Sequence, residues 1–222
     1  MKAAGSTFGI ARSLPSSVTG AEGWLSKFLE AIGIAVVYFL AARFGLALLS
    51  SPSDVAVFWP ASGIAAGILI PSGRCALMAV VIGVIAGTVA ANIISERSVL
   101  TSLCKGFCNA GEAVLVAWLL EWWFGRPFRF ADLRHVAGFF AAAGLATAVS
   151  AIGGASIMTL LHTTAPYWEV WRAWFLSDGV GIVVVAPLII GLGQIWRESS
   201  CQKEWIEGIG VLSLPALAAF MP

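Results

Sequence analysis

The chain has 222 residues, of which 59% are hydrophobic and 11% are charged, and its formal net charge is +1. A soluble domain carries roughly 25% charged residues, so this composition excludes a water-soluble globular protein. The 13 Lys and Arg residues are scattered along the chain, which excludes the basic face that nucleic-acid binding needs. Long apolar runs favour α-helices in lipid, where every backbone polar group must be paired within the chain.

The first 23 residues combine Ser, Gly and Pro and lack the apolar core of a cleavable signal peptide. We expect residues 1–23 to form a flexible cytoplasmic tail. The remainder, residues 24–222, is expected to form one transmembrane domain.

Seven apolar segments follow the tail, and most reach the roughly 20 residues that a membrane-spanning helix needs. In chain order they are Leu25–Ser50, Val55–Ile70, Cys75–Ile94, Val99–Phe124, His135–Leu161, Val170–Leu192 and Ile206–Met221. Short connections between them leave no room for a soluble domain. We therefore predict an all-α, polytopic transmembrane helix bundle with about seven spans.

The positions of Lys and Arg predict the orientation, because basic residues in short loops stay on the cytoplasmic side. A cytoplasmic N-terminus places nine of the 13 in the cytoplasm, namely Lys2, Arg12, Lys27, Arg74, Arg126, Arg129, Arg134, Arg197 and Lys203. Only Arg97 then falls in an outer loop. With seven spans such a chain ends outside the cell at Pro222, so we expect an eighth span that is missing here and a domain truncated at its C-terminus.

Three motifs stand in a characteristic order along the chain. They are FWPASGIAAGILI at Phe58–Ile70, NAGEAVLVAWLL at Asn109–Leu120 and LSDGVGIVVVAPLII at Leu176–Ile190. Their order and spacing resemble the MASE-type membrane-associated sensor domain, type one, and FRFADLRHVAGF before the fifth segment is similar to that family as well. The resemblance covers most of Phe39–Gly193.

Members of that family are multi-pass input modules of bacterial signalling proteins. They precede cytoplasmic histidine kinase, diguanylate cyclase or phosphodiesterase domains. The resemblance implies a sensory input domain in the bacterial inner membrane that detects a small-molecule ligand or a membrane partner protein. It also implies a cytoplasmic output domain in cis and a homodimer.

The second segment has a proline at a position that predicts a helix start. Pro60 follows Trp59, and proline suits the first helical turn because its missing N–H would be unpaired there. The segment is about 24 Å long as a helix, which is shorter than a hydrocarbon core of roughly 30 Å. Either the helix begins below the membrane surface, where its N–H groups suit an anion or a polar ligand, or it forms a short span packed through Gly63 and Gly67.

The fourth segment carries three polar residues on one helical face. Lys105, Asn109 and Glu112 are spaced by four and three residues. An ionisable residue near the bilayer centre costs several kcal/mol unless it faces the bundle interior, and Glu112 lies about 20 Å along this helix. We therefore expect this face to point inward. The sixth segment repeats the pattern with Trp171, Trp174 and Asp178 on one face.

With the N-terminus inside, these polar groups fall in the outer half of the membrane. The candidate ligand-binding residues are Arg43, Trp59, Asn92, Lys105, Asn109, Glu112, Trp171, Arg172, Trp174 and Asp178. We hypothesise a shallow pocket that faces the outside, with Glu112 at its floor, for a small ligand or a partner protein's helix. The alternative is a set of structural ion pairs, such as Arg43 or Arg172 with Asp178, that only fix helix positions.

No catalytic motif, phosphate-binding loop or metal-ligand spacing occurs in the sequence. We predict a non-enzymatic domain in contact with the lipid bilayer, with no catalytic residues, metal or cofactor and no nucleic-acid partner. The rival class is a small-solute transporter or channel subunit, because intramembrane charges, glycines and a broken helix also occur there. No inverted repeat between the two halves favours that class.

Overall fold

The computed structural model describes residues 18–50, 54–95, 98–161 and 163–198. In chain order this part forms α1 (Val18–Leu46), β1 (Leu49–Ser50), β2 (Val55–Ala56), α2 (Pro60–Ser72), α3 (Leu77–Ile94), α4 (Val99–Phe124), α5 (Leu133–Leu161) and α6 (Tyr167–Glu198), with one 3-10 turn at Gly73–Cys75 between α2 and α3. The all-α prediction is confirmed, since the two strands contribute only two residues each.

Within the described residues, five helices are long and apolar enough to cross a membrane. They are Gly23–Leu46, Leu77–Ile94, Val99–Phe124, Leu133–Leu161 and Tyr167–Gln194. The helix α2 has 13 residues and is therefore about 20 Å long, too short to cross a hydrocarbon core of about 30 Å. The predicted seventh segment, Ile206–Met221, lies outside the described residues, so the count of seven spans and the cytoplasmic N-terminus stay predictions.

The junction between the first two predicted segments differs from the prediction. The helix α1 ends at Leu46, and a β-hairpin follows in which Leu49 pairs with Ala56 and Ser50 with Val55. Residues 51–54 read Ser-Pro-Ser-Asp, a run of turn formers, and Asp54 has a φ of 53°, a region that aspartate tolerates better than most residues. The predicted segments ended at Ser50 and began again at Val55, so they covered both strands, because Leu49, Val55 and Ala56 are apolar as well.

The start of α1 is the second difference. The helix begins at Val18, so residues 18–23 are helical although they were assigned to the flexible tail. A hydropathy pattern marks the apolar stretch of a transmembrane helix, whereas the helix itself extends beyond the hydrocarbon.

The short helix α2 packs deep within the bundle. It contacts α6 most extensively and also lies against α4, α1 and α3, while the long helices follow one another in the order α1, α3, α4, α5 and α6. A Cβ atom at Gly63 would collide with the carbonyl oxygen of Gly181, and one at Gly67 would lie 3.2 Å from the Ala186 backbone. The predicted packing face of Gly63 and Gly67 is thus confirmed, and its partner is α6.

The two ends of the bundle have different structures. At the end that carries β1 and β2, the hairpin end, Val55 packs with Ala151, Ala155 and Met158 of α5. At the opposite end, the loop end, Glu121 pairs with Arg126 at 3.1 Å and with Arg74 at 3.8 Å. These ion pairs connect the turn after α2 to the loop after α4.

Candidate functional site

A small pocket with a cavity volume of about 40 Å³ lies beneath the hairpin, at the level where α2 begins. Its polar lining comprises Asp54, Thr88, Asn92, Lys105, Asn109, Ser177 and Asp178. Trp59 and Trp174 add two aromatic walls. The segment between α1 and α2 borders the pocket through Leu49, Asp54, Val55, Ala56 and Trp59.

The start of α2 is held by contacts on two sides. Pro60 occupies the first turn, as predicted, and the Trp59 backbone N–H donates to the Ser177 carbonyl oxygen of α6 at 3.2 Å. On the other side, Trp59 Nε1 donates to the Tyr38 hydroxyl of α1 at 3.3 Å. These bonds fix the tryptophan ring as a wall of the pocket.

Thr88 of α3 orients two amide side chains in the pocket wall. Its backbone carbonyl accepts a hydrogen bond from Asn92 Nδ2 at 2.9 Å, and its hydroxyl accepts one from Asn109 Nδ2 at 3.4 Å. Each asparagine therefore uses one of its two amide N–H groups within the protein. Their carbonyl oxygens remain available as acceptors.

Two carboxyl groups from different helices meet below the pocket. Asp178 of α6 accepts a hydrogen bond from the Ser62 hydroxyl of α2 at 3.3 Å. Glu112 of α4 lies next to Asp178, and its other polar neighbours are the hydroxyls of Ser62 and Ser150. Glu112 and Asp178 are only 2% and 3% exposed, so neither is solvated by bulk water.

The buried polar atoms without a hydrogen-bond partner gather at this one place. Among the described side chains they are Asn92 Oδ1, Asn109 Oδ1, Glu112 Oε1, Glu112 Oε2, Trp174 Nε1 and Ser177 Oγ. Four of these five residues line the pocket, and Glu112 lies one helical turn below Asn109. An unpaired buried polar group costs about 1–3 kcal/mol, so a cluster of them marks a site rather than a packing fault.

The comparisons with known proteins agree with this architecture. A family model described as MASE1 matches residues 31–221. The chain belongs to the MASE1 family. MASE1 domains are membrane-associated sensor domains and not catalytic domains. Together with the five candidate spans, this makes the chain an integral membrane protein. No curated protein and no solved structure matches the chain.

Most of the predicted candidates of this MASE1 domain meet at the pocket. Those that line it are Trp59, Asn92, Lys105, Asn109, Trp174 and Asp178. Lys105, Asn109 and Glu112 are all buried on α4, which confirms that they share an inward face. Glu112 is not part of the pocket lining and lies one helical turn beyond Asn109, so its role as the pocket floor stays a prediction. Whether these residues bind a ligand stays a prediction.

Three candidates lie elsewhere. Arg43 donates to the Ala91 carbonyl oxygen and to the Ser95 hydroxyl at the end of α3. Trp171 turns towards α5, where its Nε1 donates to the Ala148 carbonyl oxygen at 3.3 Å, and Arg172 is exposed. Spacing along α6 placed Trp171 on the same face as Trp174, and both contact α5, but only Trp174 also lines the pocket.

The sequence pattern missed several parts of the site. Thr88 precedes Asn92 by four residues and so shares its helical face, a signal that the sequence does contain. Ser177 stands beside Asp178, and the turn formers of residues 51–54 mark the hairpin. The sequence did not indicate that Tyr38 contacts the site, because an isolated tyrosine in an apolar run has many possible environments.

The start of α2, where the sequence suggested a site for an anion or a polar ligand, has a carboxyl group of the chain beside it. Ser62 is in the first turn of α2, and its hydroxyl donates to Asp178. A carboxylate of the chain itself therefore lies at the positive end of this helix dipole. Within residues 18–50, 54–95, 98–161 and 163–198, no group of three His, Cys, Asp or Glu side chains could hold a metal ion.

Proposed function

We propose that this MASE1 domain is the sensory input module of a bacterial signalling protein in the inner membrane. It binds a small ligand in the pocket at the hairpin end and acts on a cytoplasmic output domain in cis, a histidine kinase, diguanylate cyclase or phosphodiesterase. The observation that carries the proposal is the cluster of unpartnered buried polar atoms around the pocket. A purely structural cluster would satisfy its own polar groups.

The charge distribution supports an outward-facing pocket. Among the described residues, Lys27, Arg74, Arg126, Arg129 and Arg134 all belong to the loop end of the bundle. The positive-inside rule assigns such an end to the cytoplasm. The hairpin end, with the pocket beneath it, then faces the outside of the cell.

The contact between α2 and α6 supports a route from the pocket to the cytoplasmic side. Trp174, Ser177 and Asp178 line the pocket on α6, and the same helix packs against Gly63 and Gly67 of α2 further along. A ligand that prefers one packing of these helices displaces α6 relative to α2 at the loop end. Signalling requires this differential affinity, because equal affinity for both packings shifts nothing.

A pocket-filling substitution tests the proposal without knowledge of the ligand. Ser177→Phe places a ring in the pocket, whereas Val184→Phe adds a ring to the exposed face of the same helix, where Val184 is 49% exposed. The test uses a protein in which this domain is joined to its output domain. In that protein we expect Ser177→Phe to fix the rate of the output reaction at one level, independent of growth conditions. Val184→Phe should respond as the wild type does.

The measurement is the output reaction in isolated membranes, with thermal unfolding as the check on folding and Ser177→Val as a milder second variant. A folded Ser177→Phe protein with a normal response would overturn the proposal. Uptake of a solute into vesicles by the wild-type chain, lost in Ser177→Phe, would instead establish the transporter class.

A further inference from the structure

The unpartnered atoms around the pocket are mostly hydrogen-bond acceptors. Asn92, Asn109 and Glu112 together present four acceptor oxygens, whereas the donors are the Trp174 indole N–H and the Ser177 hydroxyl. One N–H of each asparagine amide donates to Thr88, and the two amide oxygens are left without a partner. A ligand that satisfies this set must itself be rich in N–H or O–H donors.

The charges around the pocket are predominantly negative. Asp54 and Lys105 lie in its lining together with Asp178, and Glu112 lies below it. Three carboxyl groups thus stand against one ammonium group. Glu112 and Asp178 are neighbours in a buried site, and two adjacent carboxylates repel each other strongly where water is excluded. A cation between them offsets this repulsion.

Aromatic walls favour the same class of ligand. Trp59 and Trp174 both line the pocket and are nearly buried. The face of an indole ring attracts a cation, and the attraction grows when the site excludes water. Apolar lining by Leu46, Val55 and Met158 leaves room for a short carbon chain beside the charged group.

We infer that the pocket binds a small organic cation whose ammonium or guanidinium group donates N–H hydrogen bonds to Asn109 and Asp178 in the pocket lining, above the carboxyl group of Glu112. This inference rests on the proposed function and names the class of ligand. A free amine and the amine headgroup of a lipid share this chemistry. The cavity volume of about 40 Å³ restricts the ligand to a molecule with few heavy atoms.

Isothermal titration calorimetry on the chain in lipid nanodiscs tests the inference. The probes are ethanolamine and agmatine, which carry ammonium and guanidinium groups, and three counterparts that share the two-carbon frame of ethanolamine. Ethylene glycol lacks the charge, glycolate reverses it, and choline keeps the charge but has no N–H donor. We expect ethanolamine or agmatine to bind and the three counterparts to bind at least about tenfold more weakly.

Variants of the chain locate the binding. Asp178→Asn and Glu112→Gln should weaken amine binding about 10- to 100-fold, because each removes a charged acceptor. Glu169→Gln is the matched control, since Glu169 lies in the first turn of α6 and does not line the pocket. If a carboxylate variant fails to fold, Asn109→Leu removes a neutral acceptor and should weaken binding by a smaller factor.

Nanodiscs with and without phosphatidylethanolamine separate the two sources of the amine. Competition by this lipid against ethanolamine assigns the site to a lipid headgroup, whereas no competition assigns it to a free amine.

Three results would overturn the inference. They are binding of glycolate in preference to ethanolamine, binding of choline as tight as that of ethanolamine, and no binding by any amine. Equal amine binding by Asp178→Asn and Glu169→Gln would likewise overturn it. None of these results decides the proposed function, which the Ser177→Phe experiment judges separately through the output reaction.

Discussion

Ser62 on α2 and Asp178 on α6 are joined by a hydrogen bond of 3.3 Å between Ser62 Oγ and Asp178 Oδ2. Both residues are buried, at 2% and 3% exposure. The bond connects the short central helix to the helix that lines the pocket with three of its residues. The position of Asp178 in the pocket therefore depends on α2.

Substitution of Ser62 by alanine should destabilise the domain by about 1–3 kcal/mol, because it removes a donor from a buried charged acceptor. The measurement is unfolding in detergent, followed by circular dichroism. Ser156→Ala is the control, since Ser156 is exposed and its hydroxyl bonds only to the Ile152 carbonyl oxygen of its own helix. Equal losses in the two variants would show that the bond between Ser62 and Asp178 contributes nothing specific.

Substitution of Gly63 by alanine should destabilise the domain by about 1–3 kcal/mol or more, because the added methyl group meets the Gly181 carbonyl oxygen. Gly144→Ala places the same methyl group on α5 with no atom within 4 Å. This control should be neutral or stabilising by up to about 1 kcal/mol, since alanine favours helix more than glycine does. Thermal unfolding of both variants checks the prediction, and a stable Gly63→Ala protein would contradict the close approach of α2 and α6.

Asp132, just before α5, should make the start of that helix depend on acid pH. Its Oδ1 lies 2.8 Å from His135 Nδ1 and accepts the His135 backbone N–H at 3.0 Å, and these hydrogen bonds lower the pKa of Asp132. The pKa is thus below the unfolded value of about 3.9. The stabilisation is complete above that value and is lost as the pH falls through the folded pKa.

Amide-exchange protection of residues 133–136 as a function of pH measures this loss. Asp132→Ser supplies a helix cap that does not titrate in this range. It should retain protection at the start of α5 in acid. The same acid-dependent loss in Asp132→Ser and in the wild type would show that another group is responsible.

Thiol labelling should reveal the orientation of the bundle. The experiment uses two proteins with a single cysteine each. In both, the native cysteines Cys75, Cys104, Cys108 and Cys201 are replaced by serine, except that one protein keeps Cys75 and the other carries Thr164→Cys. Cys75 is exposed at the loop end, and Thr164 is exposed at the hairpin end. A membrane-impermeant maleimide should label Thr164→Cys in intact spheroplasts and Cys75 only after the membrane is opened. The reverse pattern would contradict a cytoplasmic N-terminus and an outward-facing pocket.

The helical periodicity of the sequence was sufficient to predict one wall of the site, the inward face of α4. The fourth predicted segment, Val99–Phe124, has the bounds of α4, and its inward face of Lys105, Asn109 and Glu112 follows from 3.6 residues per turn. Such features depend only on residues close in sequence, and in lipid the cost of an exposed charge decides which face turns inward. The sequence could therefore predict both the helix and its polar face.

The partners of these residues were decided by the tertiary structure. Asn109 meets Thr88 across 21 residues, and Asp178 meets Ser62 across 116. Spacing along α6 grouped Trp171 with Trp174, whereas α5 takes up Trp171 and only Trp174 reaches the pocket. Which of two adjacent faces meets which helix depends on how all the helices cross.

Composition and hydropathy by themselves determined that this chain is a membrane helix bundle with polar residues held inside it, because lipid penalises every other arrangement of an apolar chain. Only the tertiary structure decided that α2 begins below a hairpin, that Glu112 and Asp178 become neighbours, and that the free acceptor oxygens converge on one pocket. Each of these depends on the packing of α2 against α6 through Gly63 and Gly181, a contact between residues far apart in the sequence.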